Sequence, residues 1–242
     1  GLCLVGSEMC IRDRYYCGIR RVRYRYLGPG SFLDQPRWDD DGAPAEPRRV
    51  LPSRAGTNLR EGQPTMALTA RHPGADLRIL VPGKFAWYCV PEQVAQREVP
   101  VLDGCTMVST DATYVYEQFF ADFGPLNLAC VTKHCRRVFS LLDQGTTVVH
   151  YCGDHPHKRA NAAFLACCVC VCVLKKTAEE AFAPFLGCDP PLHPFRDAGF
   201  GVCTFQCLVL DCVRGVAKAC ALKHYDYAQF DVDAYETLEK LE

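Results

Sequence analysis

The chain has 242 residues, seventeen cysteines and a formal net charge of -1, with 27 basic against 28 acidic side chains. That balance excludes a surface that is wholly a polyanion footprint. The odd cysteine count and the clustering of cysteines in apolar runs exclude a small secreted disulfide scaffold and predict reduced, buried thiols.

Charge divides the chain. Residues 1–72 hold twelve Arg, no Lys and eight acids, whereas residues 73–242 hold fifteen basic and twenty acidic side chains. Leu4 to Arg14 resembles the peptide made when a cDNA-library adapter is translated in frame. Arg20 to Tyr26 alternates arginine with tyrosine, the composition of a nucleic-acid arm. From Pro29 to Pro73 repeated prolines disfavour helix and central strand alike. Residues 1–74 are therefore predicted to be an unstructured leader, no nucleic-acid partner is expected, and nucleic-acid binding through the Arg/Tyr leader is an alternative reading.

From Ala75 the pattern changes. Leu77 to Val81, a Pro82-Gly83 turn and Phe85 to Val90 predict a hairpin. A helix is predicted from Pro125, with Leu128, Val131, Cys135, Val138, Phe139 and Leu142 on one face and a stop at Asp143-Gln144-Gly145. Thr146 to Tyr151 predicts a strand, Gly153 to Pro156 a loop, and Ala160 to Leu174 a buried helix. The thirteen-residue apolar run Ala162 to Leu174 is shorter than the roughly 18 to 20 residues of a membrane span. No membrane partner is expected. No secretory signal is recognisable either, so a cytoplasmic or nuclear setting is predicted.

Thr177 with Glu180 forms a capping-box pattern for a short helix closing at Gly187. Helical periodicity from near Cys203 joins Phe205, Leu208, Val209, Cys212, Val213, Val216, Ala219 and Cys220. Asp233 with Glu236 predicts a last helix, capped by Asp233 and still running at Glu242, the pattern of a truncated chain.

A strand leading through a loop into a buried helix is the generic anion cradle, and cysteine phosphatases place a thiolate at its start and an arginine at its end. Here the segment comprises His150, Tyr151, Cys152, Gly153, Asp154, His157, Lys158 and Arg159. Tyr151 occupies the nucleophile position and cannot supply a thiolate. Cys152 is one residue late and reaches Arg159 only after six intervening residues. Asp154 would repel a phosphate dianion. No catalytic residue is therefore assigned; an active phosphatase working through Cys152 is the alternative. Cys17 with Arg23 and Cys130 with Arg136 match the Cys, five residues, Arg spacing by chance. Cys167, Cys168, Cys170 and Cys172 lack paired zinc-knuckle spacing and are read as core residues, so no metal and no cofactor is expected.

Several segments carry a resemblance: Glu117-Gln118-Phe119-Phe120-Ala121-Asp122-Phe123-Gly124-Pro125-Leu126-Asn127; His150-Tyr151 with Lys158-Arg159-Ala160-Asn161; Leu174-Lys175-Lys176-Thr177; Pro194-Phe195-Arg196-Asp197; and Phe230-Asp231-Val232-Asp233. From about Ala75 to Glu242 the chain resembles the N-terminal domain of dual-specificity phosphatases of the cell-division-cycle-fourteen type. The resemblance implies an α/β phosphatase-like domain, a small mixed sheet flanked by helices, over residues 75–230, with residues 231–242 starting an interdomain helix. It implies a non-catalytic half that recognises phosphoprotein substrates and scaffolds a C-terminal catalytic phosphatase domain missing from this chain. Glu236 and Glu239 would then face a substrate groove selecting a basic residue after phosphoserine-proline. Asp122, Arg196 and Asp197 are assigned structural roles. His157 stands where the family's degenerate loop keeps arginine.

Overall fold

A computed structural model describes residues 71–241. The adapter-like segment, the Arg/Tyr stretch and Cys17 with Arg23 lie outside the described residues. Residues 71–74, assigned to the leader, are tied to the domain. His72 Nδ1 lies 3.0 Å from the Tyr88 hydroxyl, and Arg71 pairs with Asp103.

The sheet has four strands in the order β1-β2-β4-β3. The predicted hairpin forms as β1 (Asp76–Val81) antiparallel to β2 (Phe85–Val90). β4 (Thr147–Gly153) is central and parallel both to β2 and to β3 (Cys105–Ser109). A parallel pair needs a crossover, and the crossovers supply helices that bury the sheet's faces. The result is a mixed sheet flanked by helices.

Strand alternation sorts side chains to the two faces. Phe85, Trp87, Cys89, Val148 and Cys152 join the larger core, under α2 (Leu128–Asp143) and α3 (Pro156–Cys172). Ala86, Tyr88, Val90, Val149 and Tyr151 face the other way, with Leu102 and with Val94 of α1 (Glu92–Arg97). Both α1 and β3 went unrecognised in the sequence. The Cys105–Ser109 stretch is short and only its Val108 is fully buried, so its strand state comes from pairing with β4 and not from its own pattern.

Every residue of α3 from Arg159 to Cys172 is buried. Its Ala, Cys and Val side chains are small, which lets the helix pack closely on the sheet, on α2 and on α5 (Val209–Ala221). Each fully buried valine or phenylalanine here contributes about 1.5–3 kcal/mol of transfer free energy. None of the described helices is long and apolar enough to cross a membrane.

Boundaries differ from expectation where side chains cap backbone groups. α2 starts at Leu128 and not at Pro125, because Asn127 accepts the Cys130 N–H at 2.9 Å. Its apolar face also excludes Phe139, which is exposed. α5 starts at Val209 and not near Cys203, leaving Phe205 in solvent. The Thr177–Glu180 capping box forms at the start of α4 (Ala178–Phe182). α6 (Val232–Leu241) is capped by Asp231, which accepts the Ala234 N–H at 2.9 Å, so Asp233 is not its cap.

Candidate functional site

The largest departure from expectation lies at the junction of β4 and α3. Pro156 suits the first turn of a helix, and His155 Nδ1 accepts the His157 N–H at 3.3 Å, so α3 starts four residues before Ala160. The strand meanwhile runs through to Gly153. Only Asp154 and His155 remain between them, too few residues to wrap a phosphate with backbone amides.

The side chains of this segment scatter. Tyr151 lies on one face of the sheet and Cys152 on the other, pairing in register with Cys89. Burial pushes the Cys152 thiol well above its ordinary pKa, whereas a nucleophilic cysteine needs its thiolate. Arg159 is buried as well, and its guanidinium donates to the Pro190 carbonyl at 2.9 Å. His157 stacks flat on Phe123, with ring centroids 3.9 Å apart, and burial lowers its pKa. Asp154 accepts the Glu92 backbone N–H at 2.9 Å. His150 is fully buried, with Nε2 3.0 Å from the Thr110 hydroxyl.

Beside the β4–α3 turn two carboxylates converge on Gly153. Asp111 Oδ2 accepts the Gly153 N–H at 2.7 Å. Glu92 pairs through Oε1 with Lys158, and its Oε2 points at the Gly153 backbone. A Cβ built on Gly153 would meet Glu92 Oε2 at 2.0 Å and Asp111 Oδ2 at 3.5 Å. Burial raises the Asp111 pKa to about 6, and the neighbouring Glu92 charge adds to this. A cavity of about 270 Å³ opens beside these groups, lined also by Thr110, Tyr114, Tyr116, His155, His157 and Asn161. Glu92 and Asp111 were missed in the sequence, and Asn161 stood only in the resembling segment without a role. Glu92 and Asp111 lie in or next to the two unrecognised elements, and no local motif marks them.

The remaining assigned residues lie elsewhere. Asp122 accepts from the Tyr116 hydroxyl at 2.5 Å and from the Phe119 and Phe120 N–H groups, both at 2.8 Å. These donors hold its carboxyl below its ordinary range against the opposing effect of burial. Arg196 donates to the Gly199 carbonyl at 3.3 Å, and Asp197 accepts the Gly199 N–H at 3.4 Å. Glu236 pairs with Lys133, and Glu239 accepts from the Asn127 amide at 3.0 and 3.1 Å. Both acids thus join α6 to the start of α2, and their partners there, Lys133 and Asn127, are not members of the degenerate loop. Cys130 and Arg136 share a helix and form no loop.

Comparison with known proteins agrees with this architecture. The model of a family described as "Dual specificity protein phosphatase, N-terminal half" matches residues 79–219. Over 139 residues the chain is 46% identical to the human dual specificity protein phosphatase CDC14A, covering 55% of this chain and 23% of that protein. The zebrafish (Danio rerio) CDC14AB is 44% identical over 139 residues, with 55% and 23% covered. The Saccharomyces cerevisiae tyrosine-protein phosphatase CDC14 is 30% identical over 144 residues, with 58% and 26% covered. The chain thus spans about a quarter of the length of these relatives. A four-stranded mixed sheet with a buried crossover helix, matched by the family model over more than half its length, places the chain in the family of dual specificity protein phosphatase N-terminal halves, with CDC14 phosphatases as its relatives.

Proposed function

We propose that this chain is the non-catalytic, substrate-recognising and scaffolding half of a dual-specificity phosphatase acting on phosphoserine-proline and phosphotyrosine proteins in cell-cycle control. The observation that carries the reading is the two-residue β4–α3 turn, where Asp111 takes the Gly153 amide and Cys152 is buried. An anion meets carboxylates there, and no thiolate is offered to a phosphorus atom. The partner in this proposal is a C-terminal catalytic domain, and the setting is cytoplasmic or nuclear.

Glu236 and Glu239 supply the acidic side of the substrate groove in this proposal. Lys133 offsets the charge of Glu236, whereas the Asn127 amide and the Tyr235 hydroxyl that meet Glu239 are neutral. Glu239 therefore carries the greater share of the selection.

The purified chain should not turn over an aryl phosphate, and Cys152→Ser should change nothing. Turnover that disappears in Cys152→Ser would establish the active-phosphatase alternative. Joined to a catalytic domain, Glu239→Lys should lower turnover of phosphopeptides bearing a downstream Lys or Arg and spare a small aryl phosphate. Added salt should shrink that difference. Equal turnover of both substrates by variant and parent would remove the groove assignment.

A further inference from the structure

The cavity beside the β4–α3 turn holds more hydrogen-bond acceptors than the domain satisfies. Asn161 is only 7% exposed. Its Nδ2 donates to the Gly124 carbonyl at 3.3 Å, which fixes the amide's orientation and leaves Oδ1 buried with no partner among the described residues. Glu92 Oε2 is likewise buried without a partner among the described residues. Buried acceptors left unpaired are costly and rare in native proteins. Both residues line the same cavity, together with Asp111.

The missing partner must be a donor. Two carboxylates stand against one ammonium, that of Lys158, which reaches Glu92 from a partly exposed position and engages only Oε1. A phosphate would meet the charges of Glu92 and Asp111 at the cradle's floor. A guanidinium has five N–H donors, no acceptor, and a planar fork matched to carboxylates. Tyr114 and Tyr116 add aromatic walls suited to a cation. The volume, about 270 Å³, is at the small end for ligand pockets and admits one side chain.

We propose that this cavity, where a phosphatase would hold phosphate, is instead a guanidinium site taking the side chain of a peptide arginine on Glu92 Oε2, Asp111 and Asn161 Oδ1. The charge preference of the ancestral cradle is thereby reversed. Neither Glu236 nor Glu239 lines this cavity.

Calorimetric titration of the whole chain with Nα-acetylarginine amide tests it, with the citrulline amide, free arginine and inorganic phosphate as comparison probes. The arginine amide should bind at least tenfold more tightly than its citrulline counterpart, which keeps the shape and loses the charge. Free arginine should bind no more tightly than the amide, because its α-ammonium and α-carboxylate offset each other and lie outside the guanidinium's contacts; tighter binding of free arginine would assign the site to a metabolite and overturn the peptide reading. Glu92→Gln with Asp111→Asn should weaken the amide at least tenfold. Since a misfolded variant would also lose binding, Lys158→Met provides the opposing readout: removal of the competing ammonium should tighten the amide at least threefold. Equal binding of citrulline and arginine amides, preferential binding of phosphate, or weaker arginine binding in Lys158→Met would each overturn the proposal.

Discussion

His134 of α2 and His150 of β4 lie ring against ring, with centroids 4.4 Å apart, and both are buried. Both nitrogens of His134 and Nδ1 of His150 have no partner among the described residues, so neither ring is equipped to carry a second, charging proton. Desolvation lowers the His150 pKa to about 3 and moves His134 well below its ordinary value, with Arg137 adding to the effect on both and His150 adding to that on His134.

Acid should therefore destabilise the domain through this pair. The folded values lie below the unfolded value of about 6.5, so the unfolded chain binds more protons as pH falls. Stability is fully present above pH 6.5 and is lost progressively toward the folded value of His150, about 3. The slope approaches about 1.4 kcal/mol per pH unit for each histidine. Urea midpoints measured between pH 7.5 and 4.5 should fall, and His150→Phe should flatten the dependence. An unchanged slope in that variant would mean that other groups set the acid limb.

Arg136 should fasten the segment that leads into α6. Its guanidinium donates to the carbonyls of Tyr227 at 2.9 Å, Ala228 at 3.2 Å and Phe230 at 2.8 Å. Arg136→Ala should cost about 1–2 kcal/mol in chemical denaturation, since charge-assisted bonds to backbone exceed neutral ones. Arg136→Lys should recover little, because a compact ammonium cannot span three carbonyls as a planar fork does. Faster amide exchange confined to α6 would locate the effect.

Thr177→Ala should cost about 1 kcal/mol. Thr177 Oγ1 accepts the Glu180 N–H at 3.2 Å, and Glu180 Oε2 accepts the Thr177 N–H at 2.8 Å. The helix they start spans only Ala178–Phe182 and depends on both bonds. Glu180→Gln should cost less, because its amide oxygen still reaches the Thr177 N–H. Urea unfolding of the two variants checks the order.

Cysteine alkylation under native conditions should spare Cys152, Cys167 and Cys168. All three are buried, and burial raises their pKa well above the ordinary thiol value. The half-buried Cys188 and Cys203 should react first, and all should react once the chain is unfolded. Mass mapping of the labelled sites decides it; Cys152 reacting at the rate of Cys203 would reveal an open cradle.

The local elements were legible where a residue pattern alone suffices. Alternation around Pro82-Gly83 produced the hairpin, and Thr177 with Glu180 produced a capping box, because both depend on neighbours in sequence. The absence of a cysteine at Tyr151 was equally a matter of residue type. Tertiary structure decided the rest. β3 is a strand because β4 lies beside it, and Asp231 caps α6 in preference to Asp233 because backbone direction, not spacing, aims the side chain. The character of the cradle was decided the same way. Glu92, Asp111 and Asn161 are far apart in the chain, and only the parallel pairing of β2, β4 and β3, with α3 laid across them, brings their oxygens to one cavity. Residue type determined that Tyr151 follows His150 where the phosphatase signature has cysteine; long-range packing determined that Glu92 and Asp111 converge beside Gly153, because charge at a point depends on every element that meets there.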